Sequence, residues 1–197
     1  MAQASAHNSM LPNIHHIPPN GYIKKQATRT TEQENSLDTN KKCPEAPCRI
    51  TDFIAYQVQT QPLAPAVQYG ANESITYVGL SRLAAEIAVS LSIRRGTIVP
   101  ICMDTSVNFI ATIVATLMCS AAYVVLDSRG SIDRNNAIVD DCNAAIVIVD
   151  KLYAPLFENS VVLESALAER SQDTHVFFED SDASAKDIAY LVYTSSE

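Results

Sequence analysis

Up to residue 48 the apolar positions follow no period, whereas from Arg49 onward they fall into helical and strand-like runs. The clearest run is Thr97 to Asp127, TIVPICMDTSVNFIATIVATLMCSAAYVVLD. Ile98, Val99 and Ile101 make a short β-branched strand, and Ser106 is placed to cap a helix. Val107, Ile110, Ala111, Val114, Leu117 and Met118 then recur at helical spacing, and Ala122 to Leu126 reads as a second buried strand. Two apolar strands joined by such a helix imply a parallel pair with a crossover. Burying each large side chain of the inner helix face stabilises by about 1.5 to 3 kcal/mol, so a handful of them fix where the helix lies. The expected fold is α/β: a mostly parallel sheet with flanking helices.

The rest of the ordered chain extends this unit. Phe53, Ile54 and Val58 predict a helix, Pro62 and Pro65 break it, and Ala66 to Tyr69 predicts a short strand ending at Gly70. Thr76 is placed to cap a helix over Tyr77 to Leu91, whose stripe is Leu80, Leu83, Ala84, Ile87 and Leu91. Arg94, Arg95 and Gly96 turn the chain into the strand of Ile98. Pro100 inside that strand lacks a ladder donor and predicts an edge or a strand end. Further on, Ser131 is expected to cap a helix carrying Ile132, Ala137, Ile138 and Val139. Strands over Ala144 to Val149 and Val161 to Leu163, a helical turn over Glu164 to Arg170 and a final strand opening DIAYLVYTSSE complete the pattern.

Composition sharpens the picture. With 197 residues and 47% hydrophobic content the chain supports about one domain and a tail. Residues 1 to 48 are polar, cannot offset their chain entropy by burial and are expected to be a flexible tail; 49 to 197 form the domain. The tail's first 31 residues lack acids, as a mitochondrial presequence does, but hold only three basic residues and no amphipathic helix. Net charge is −8, with +2 on residues 1 to 50 and −10 on residues 51 to 197. An acidic domain argues against nucleic acid or an anionic membrane as the main partner. The stretch Phe109 to Cys119 is too short to span a bilayer, and five cysteines, an odd number, fit free thiols in a reducing compartment. A cytosolic protein is expected.

Candidate chemistry is sparse. Five scattered glycines form neither a dinucleotide fingerprint nor a Walker loop, and no nucleophile elbow or zinc spacing occurs. His15-His16, Cys43 with Cys48, and His175 lack the companions a metal site needs, so no metal site is expected. Asp140-Asp141, a paired-carboxylate motif on paper, reads as a solvated helix end. Thr194, Ser195 and Ser196 alone are nominated for a nucleotide, on the family resemblance described next: hydroxyls and backbone N–H groups after a strand can face phosphates, and the alternative for this isolated chain is a frayed end. No catalytic residue is nominated.

Several strings resemble the adenylation domains of nonribosomal peptide synthetases, in the adenylate-forming (AMP-binding) superfamily and particularly its fungal members. CSAAYVVLD is similar to LKAGGAYVPLD, ITYVGL to LTYxEL with Gly79 in place of the Glu, VPIC to VPLC, and IAYLVYTSS to the start of LAYxxYTSGTTGxPKG, with Ser196 in place of a Gly. After Asp127 the family carries a helix with RI and an acidic end, matched by Arg134 and Asp140-Asp141. The resemblance runs from about residue 50 to 197, in order.

It implies a truncated N-terminal subdomain of the adenylate-forming fold. The intact family uses ATP and Mg to turn an amino acid or other carboxylic acid into an acyl adenylate and passes the acyl group to a carrier-protein thiol. The catalytic residues would lie beyond Glu197. A chain ending there is expected to be inactive alone and to bind no nucleotide productively. Carrier proteins or other synthetase modules are the implied partners. The alternatives are a non-catalytic interaction or scaffold protein that self-associates or binds a partner through the truncated sheet, and a gene remnant.

Overall fold

The computed structural model describes residues 49–168, 184 and 186–194. The expected tail, the Cys43 and Cys48 pair, His15-His16, His175, Ser195 and Ser196 lie outside the described residues.

Helix α1 (Ile50–Thr60) opens the described chain, started by a reciprocal pair in which the Arg49 backbone N–H and guanidinium both donate to Asp52. Strands β1 (Pro65–Tyr69) and β2 (Glu73–Thr76) pair antiparallel as a hairpin. Gly70 turns between them at φ 62°, a left-handed conformation that costs glycine nothing. The local pattern does not foretell β2, because Ile75 and Thr76 read there only as the lead-in to a helix.

Helix α2 (Tyr77–Ser90) starts on Thr76, whose hydroxyl accepts from the Gly79 N–H at 3.2 Å, as expected. A carboxylate at position 79 would complete the reciprocal capping box, but a Cβ there would lie 2.9 Å from Ile75 Cγ1. Glycine is therefore matched to Ile75 in this chain.

Next come β3 (Ile98–Cys102), α3 (Val107–Met118), β4 (Ala122–Val125), α4 (Ile132–Asp141), β5 (Val147–Val149), β6 (Ser160–Val162), α5 (Leu163–Ala168) and β7 (Tyr190–Leu191). Ser106 caps α3 by accepting from the Phe109 N–H at 3.1 Å. Ser131 occupies the corresponding position of α4 but makes no side-chain capping bond, which corrects the expectation. Leu163, expected to close a strand, instead begins α5, and β5 covers only the second half of its expected span.

The main sheet runs β6-β5-β3-β4-β7, with every pairing parallel. Side chains alternate between its faces. Val99, Ile101, Tyr123, Ile148 and Val161 turn to one face and pack with Leu80, Ala84, Ile87, Ala111, Val114 and Leu163 from α2, α3 and α5. Cys102, Val124, Leu126, Val147 and Val149 turn to the other and pack with Ile138 and Cys142 of α4 and with Phe157. The sheet is thus covered on both sides, as its continuous apolar strands require.

Pro100 is where the expectation fails. It sits in the middle of β3, the central strand, not at an edge. The backbone shows how it is tolerated. Ala122 N donates to Thr97 O and Leu126 N to Ile101 O, so the odd residues of β3 turn their backbone groups to β4. Pro100 turns its nitrogen the other way, toward β5, whose pairing with β3 begins only at Ile101 opposite Ile148. The missing donor falls just short of the ladder.

Candidate functional site

In open parallel sheets, ligands gather outside the carboxyl ends of the strands where successive connections depart in opposite directions. Here β3 leads through α3 to β4 on one flank, and β4 leads through α4 to β5 on the other flank of β3. The switch lies between β3 and β4, and β7 lies beside β4.

Three aspartates crowd the carboxyl ends of β3, β4 and β5. Asp150 accepts from the Asp104 N–H at 2.7 Å, and Asp104 accepts from the Tyr153 hydroxyl at 2.7 Å. Asp127 forms a tight turn, accepting from Arg129 N at 3.0 Å with its carboxylate, while its carbonyl takes a bond from the buried side chain of Asn135 at 2.8 Å. Burial first, and then Asp150, Asp104 and Asp127, push the Cys102 thiol up to about 11. Asp150 is itself held above the ordinary carboxylate range, chiefly by burial.

The last described strand brings the nominated segment to this edge. Tyr190 pairs with Tyr123 and Leu191 with Val124, and the two tyrosine rings stack with centroids 5.8 Å apart. The strand ends at Leu191, so Tyr193, expected from the sequence to close it, lies two residues beyond it. Thr194 then emerges exposed at the carboxyl side of β7.

The residue before Thr194 is held by α4. The Arg134 guanidinium donates to the Tyr193 carbonyl at 3.0 Å. The Tyr193 hydroxyl donates to the Asp141 carboxylate at 2.5 Å and lies 3.4 Å from the Cys142 sulfur. Asp141 is therefore not the merely solvated helix end that sequence reasoning expected. The missed signal was a tyrosine 52 residues away. Spacing along one helix cannot show it.

The exposed Thr194 hydroxyl is a donor, and Arg134 places a positive charge one peptide away, against the acidic strand ends. Among the described residues no three His, Cys, Asp or Glu side chains gather into a metal site. A depression of about 190 Å³, lined by Arg49, Ile50, Leu117, Ala121, Ile188 and Ala189, lies at the amino ends of β4 and β7, away from Thr194. No described helix is long and apolar enough to cross a membrane.

The family model of the AMP-binding enzymes matches residues 54–196, most of the chain. The chain belongs to the AMP-binding enzyme family. Among its relatives, the nonribosomal peptide synthetase sidE of Aspergillus fumigatus is 42% identical over 152 residues, which cover 77% of this chain and 7% of that protein. The NRPS-like oxidoreductase fscA of Fusarium equiseti is 32% identical over 148 residues, covering 72% of this chain and 14% of its own length. The chain thus spans only a small part of the relatives it matches.

Solved structures agree on the fold. The N-terminal subdomain of Klebsiella oxytoca NpsA superposes with a TM-score of 0.65 at 19% identity, over 75% of this chain and 39% of that one. The nonribosomal peptide synthetase FmoA3, in a form bound to α-methyl-L-serine-AMP, gives a TM-score of 0.66 at 20% identity, over 80% of this chain and 18% of its own. The chain is therefore part of an AMP-binding domain of the kind found in NRPS-like proteins. These likenesses favour the adenylation reading over a scaffold or a remnant.

Proposed function

We propose that this AMP-binding fold serves ATP-dependent activation of an amino acid or other carboxylic acid as an acyl adenylate, for secondary-metabolite biosynthesis. In that reaction the carboxylate attacks the α-phosphate of ATP, the bond to the β-phosphate breaks, and pyrophosphate leaves. The acyl group then passes to a carrier-protein thiol, so carrier proteins and other synthetase modules are the partners, and the cytosol is the compartment.

The observation that carries this reading is the exit of β7. It lies parallel to β4 and releases Thr194 at the carboxyl side of the sheet, beside a guanidinium. Thr194, Ser195 and Ser196 are the residues assigned to the opening of the phosphate-binding loop. Bound ATP would supply the leaving group and the electrophilic phosphorus. Magnesium, a hard cation that usually arrives on substrate phosphates, would enter with the nucleotide.

The chain's own residues supply binding at one end of the nucleotide, and none of the three belongs to an acyl pocket. Residues 1 to 197 are accordingly expected to bind MgATP weakly and to catalyse no amino-acid-dependent pyrophosphate exchange alone. Titrating the chain with MgATP while following the Thr194 amide by NMR tests this. A shift of that amide, lost in Thr194→Val, is the expected result. Saturable binding that leaves Thr194 unmoved would remove the assignment, and exchange activity by the 197-residue chain would refute the inactivity.

A further inference from the structure

Tyr193 is gripped at both ends by a single helix. Arg134 and Asp141 stand seven residues apart on α4, two turns, and so lie on one stripe together with Ile138, which anchors the helix to the sheet. One end of the stripe binds the main-chain carbonyl of Tyr193, and the other binds its phenol. A two-ended grip fixes a residue's backbone orientation as well as its position, because rotation about either bond is resisted by the other.

The carbonyl bond has a geometric consequence. The Tyr193 carbonyl and the Thr194 N–H belong to the same planar trans peptide, in which oxygen and hydrogen point in opposite directions. Whatever fixes the carbonyl therefore aims the N–H. Loops that cradle phosphates work mainly through such N–H groups, and their value depends on being oriented before the ligand arrives.

We propose that Arg134 is a positioning residue for nucleotide binding: by holding the Tyr193 carbonyl it aims the Thr194 N–H, the first donor of the loop. The Asp141 to Tyr193 bond is the second anchor of the same peptide. This rests on the reading of Thr194 as the loop's opening. It differs from a direct role for Arg134 on phosphate, since the guanidinium acts through the peptide.

The test uses the full chain with Arg134→Lys and Arg134→Met, and Tyr193→Phe as a variant that keeps the carbonyl bond. Backbone ¹⁵N order parameters and the Thr194 N–H residual dipolar coupling are measured without ligand, and MgATP affinity alongside. In Arg134→Met the Thr194 order parameter is expected to fall by about 0.2 or more, from a rigid value near about 0.85, with β3 and β4 unchanged. Arg134→Lys, which still donates to the carbonyl, recovers at least half of that loss. MgATP affinity should weaken about tenfold in Arg134→Met and about threefold in the other two.

An unchanged Thr194 order parameter and coupling in Arg134→Met overturns the proposal. So does a loss spread evenly over β3, β4 and β7 in both Arg134 variants, which would make the residue one of general stability. Altered Thr194 orientation in Arg134→Met, in a chain whose wild type binds no MgATP, keeps the aiming role and sinks the nucleotide reading, so the two failures are told apart.

Discussion

The phenol of Tyr193 donates to the carboxylate of Asp141 at 2.5 Å, tying the chain beyond β7 to the last turn of α4. This bond first, and then the Cys142 sulfur, hold the Tyr193 phenol above the ordinary tyrosine range.

A phenol whose folded value is raised contributes stability that is complete below the unfolded value of about 10 and is lost as pH climbs toward the folded value. Tyr193 should therefore ionise well after an exposed tyrosine, as followed by its ring-carbon NMR signal. Asp141→Asn should bring that transition down and flatten the fall of stability above about pH 10. Titration of Tyr193 near about pH 10 in the unmodified chain would contradict the bond.

Cys102 gives a second, separate alkaline signature. Its thiol, buried and facing Asp150, Asp104 and Asp127, is raised from 9.0 to about 11. The sign is the same: the contribution is full below pH 9 and is lost as pH rises to about 11. Chemical denaturation at stepped pH should show this loss, and Cys102→Ala should reduce it. Among the described cysteines, native-state alkylation should reach the half-buried Cys119 before the buried Cys102 and Cys142, and Cys102 only on unfolding.

The two serines ahead of α3 and α4 look alike in sequence and are not alike in structure. Ser106→Ala removes a bond to the Phe109 N–H and should destabilise by about 1 kcal/mol. Ser131→Ala removes no capping bond and should cost less than about 0.5 kcal/mol in the same urea titration. Equal losses would show that Ser131 caps in solution.

Helix α3 gives way to a left-handed residue, Ser120, at φ 55°. That conformation costs an L side chain about 1 kcal/mol and glycine almost nothing. Ser120→Gly should raise the denaturation midpoint by the equivalent of roughly 0.5 to 1 kcal/mol, somewhat offset by the freer unfolded chain. A lower midpoint would mean that the serine hydroxyl compensates for the strain.

Ser120 also shows why much of the fold was legible. The motif LKAGGAYVPLD carries glycine where this chain has Ser120, and the structure supplies the reason: a helix must stop there and turn into β4. Helices α2 and α3, their caps Thr76 and Ser106, and the strands of Val99 and Val124 could be read because their signals are local: a period, a cap, a run of β-branched residues. Pro100 misled because the side to which a strand residue turns its nitrogen depends on register with its neighbours, which a single strand does not encode. β2 was missed for a similar reason, since Ile75 becomes a strand residue only by facing Val67.

Of the site, Thr194 is legible through motif resemblance, and Arg134 and Asp141 match the family's RI and acidic helix end, but neither the motif nor the helix period shows what they hold. Their partner is a tyrosine in the last strand region, and no periodicity links them. Contacts between distant segments are decided by sheet order, and the place of β7 beside β4 was not written in either strand.

The position of Pro100 has a mechanical corollary. On one flank β3 is stitched to β4 through four registered pairs, on the other to β5 through only two, Ile101 with Ile148 and Cys102 with Val149. The seam beside the proline is the weaker one. Under strain or thermal fluctuation β5 and β6 should peel away before β4 does, which native-state hydrogen exchange would register as earlier opening at Ile148 and Val161 than at Val124. Strands β3 and β4, joined by four pairs, would then outlast β5 and β6, a ratchet of stability built around one absent proton.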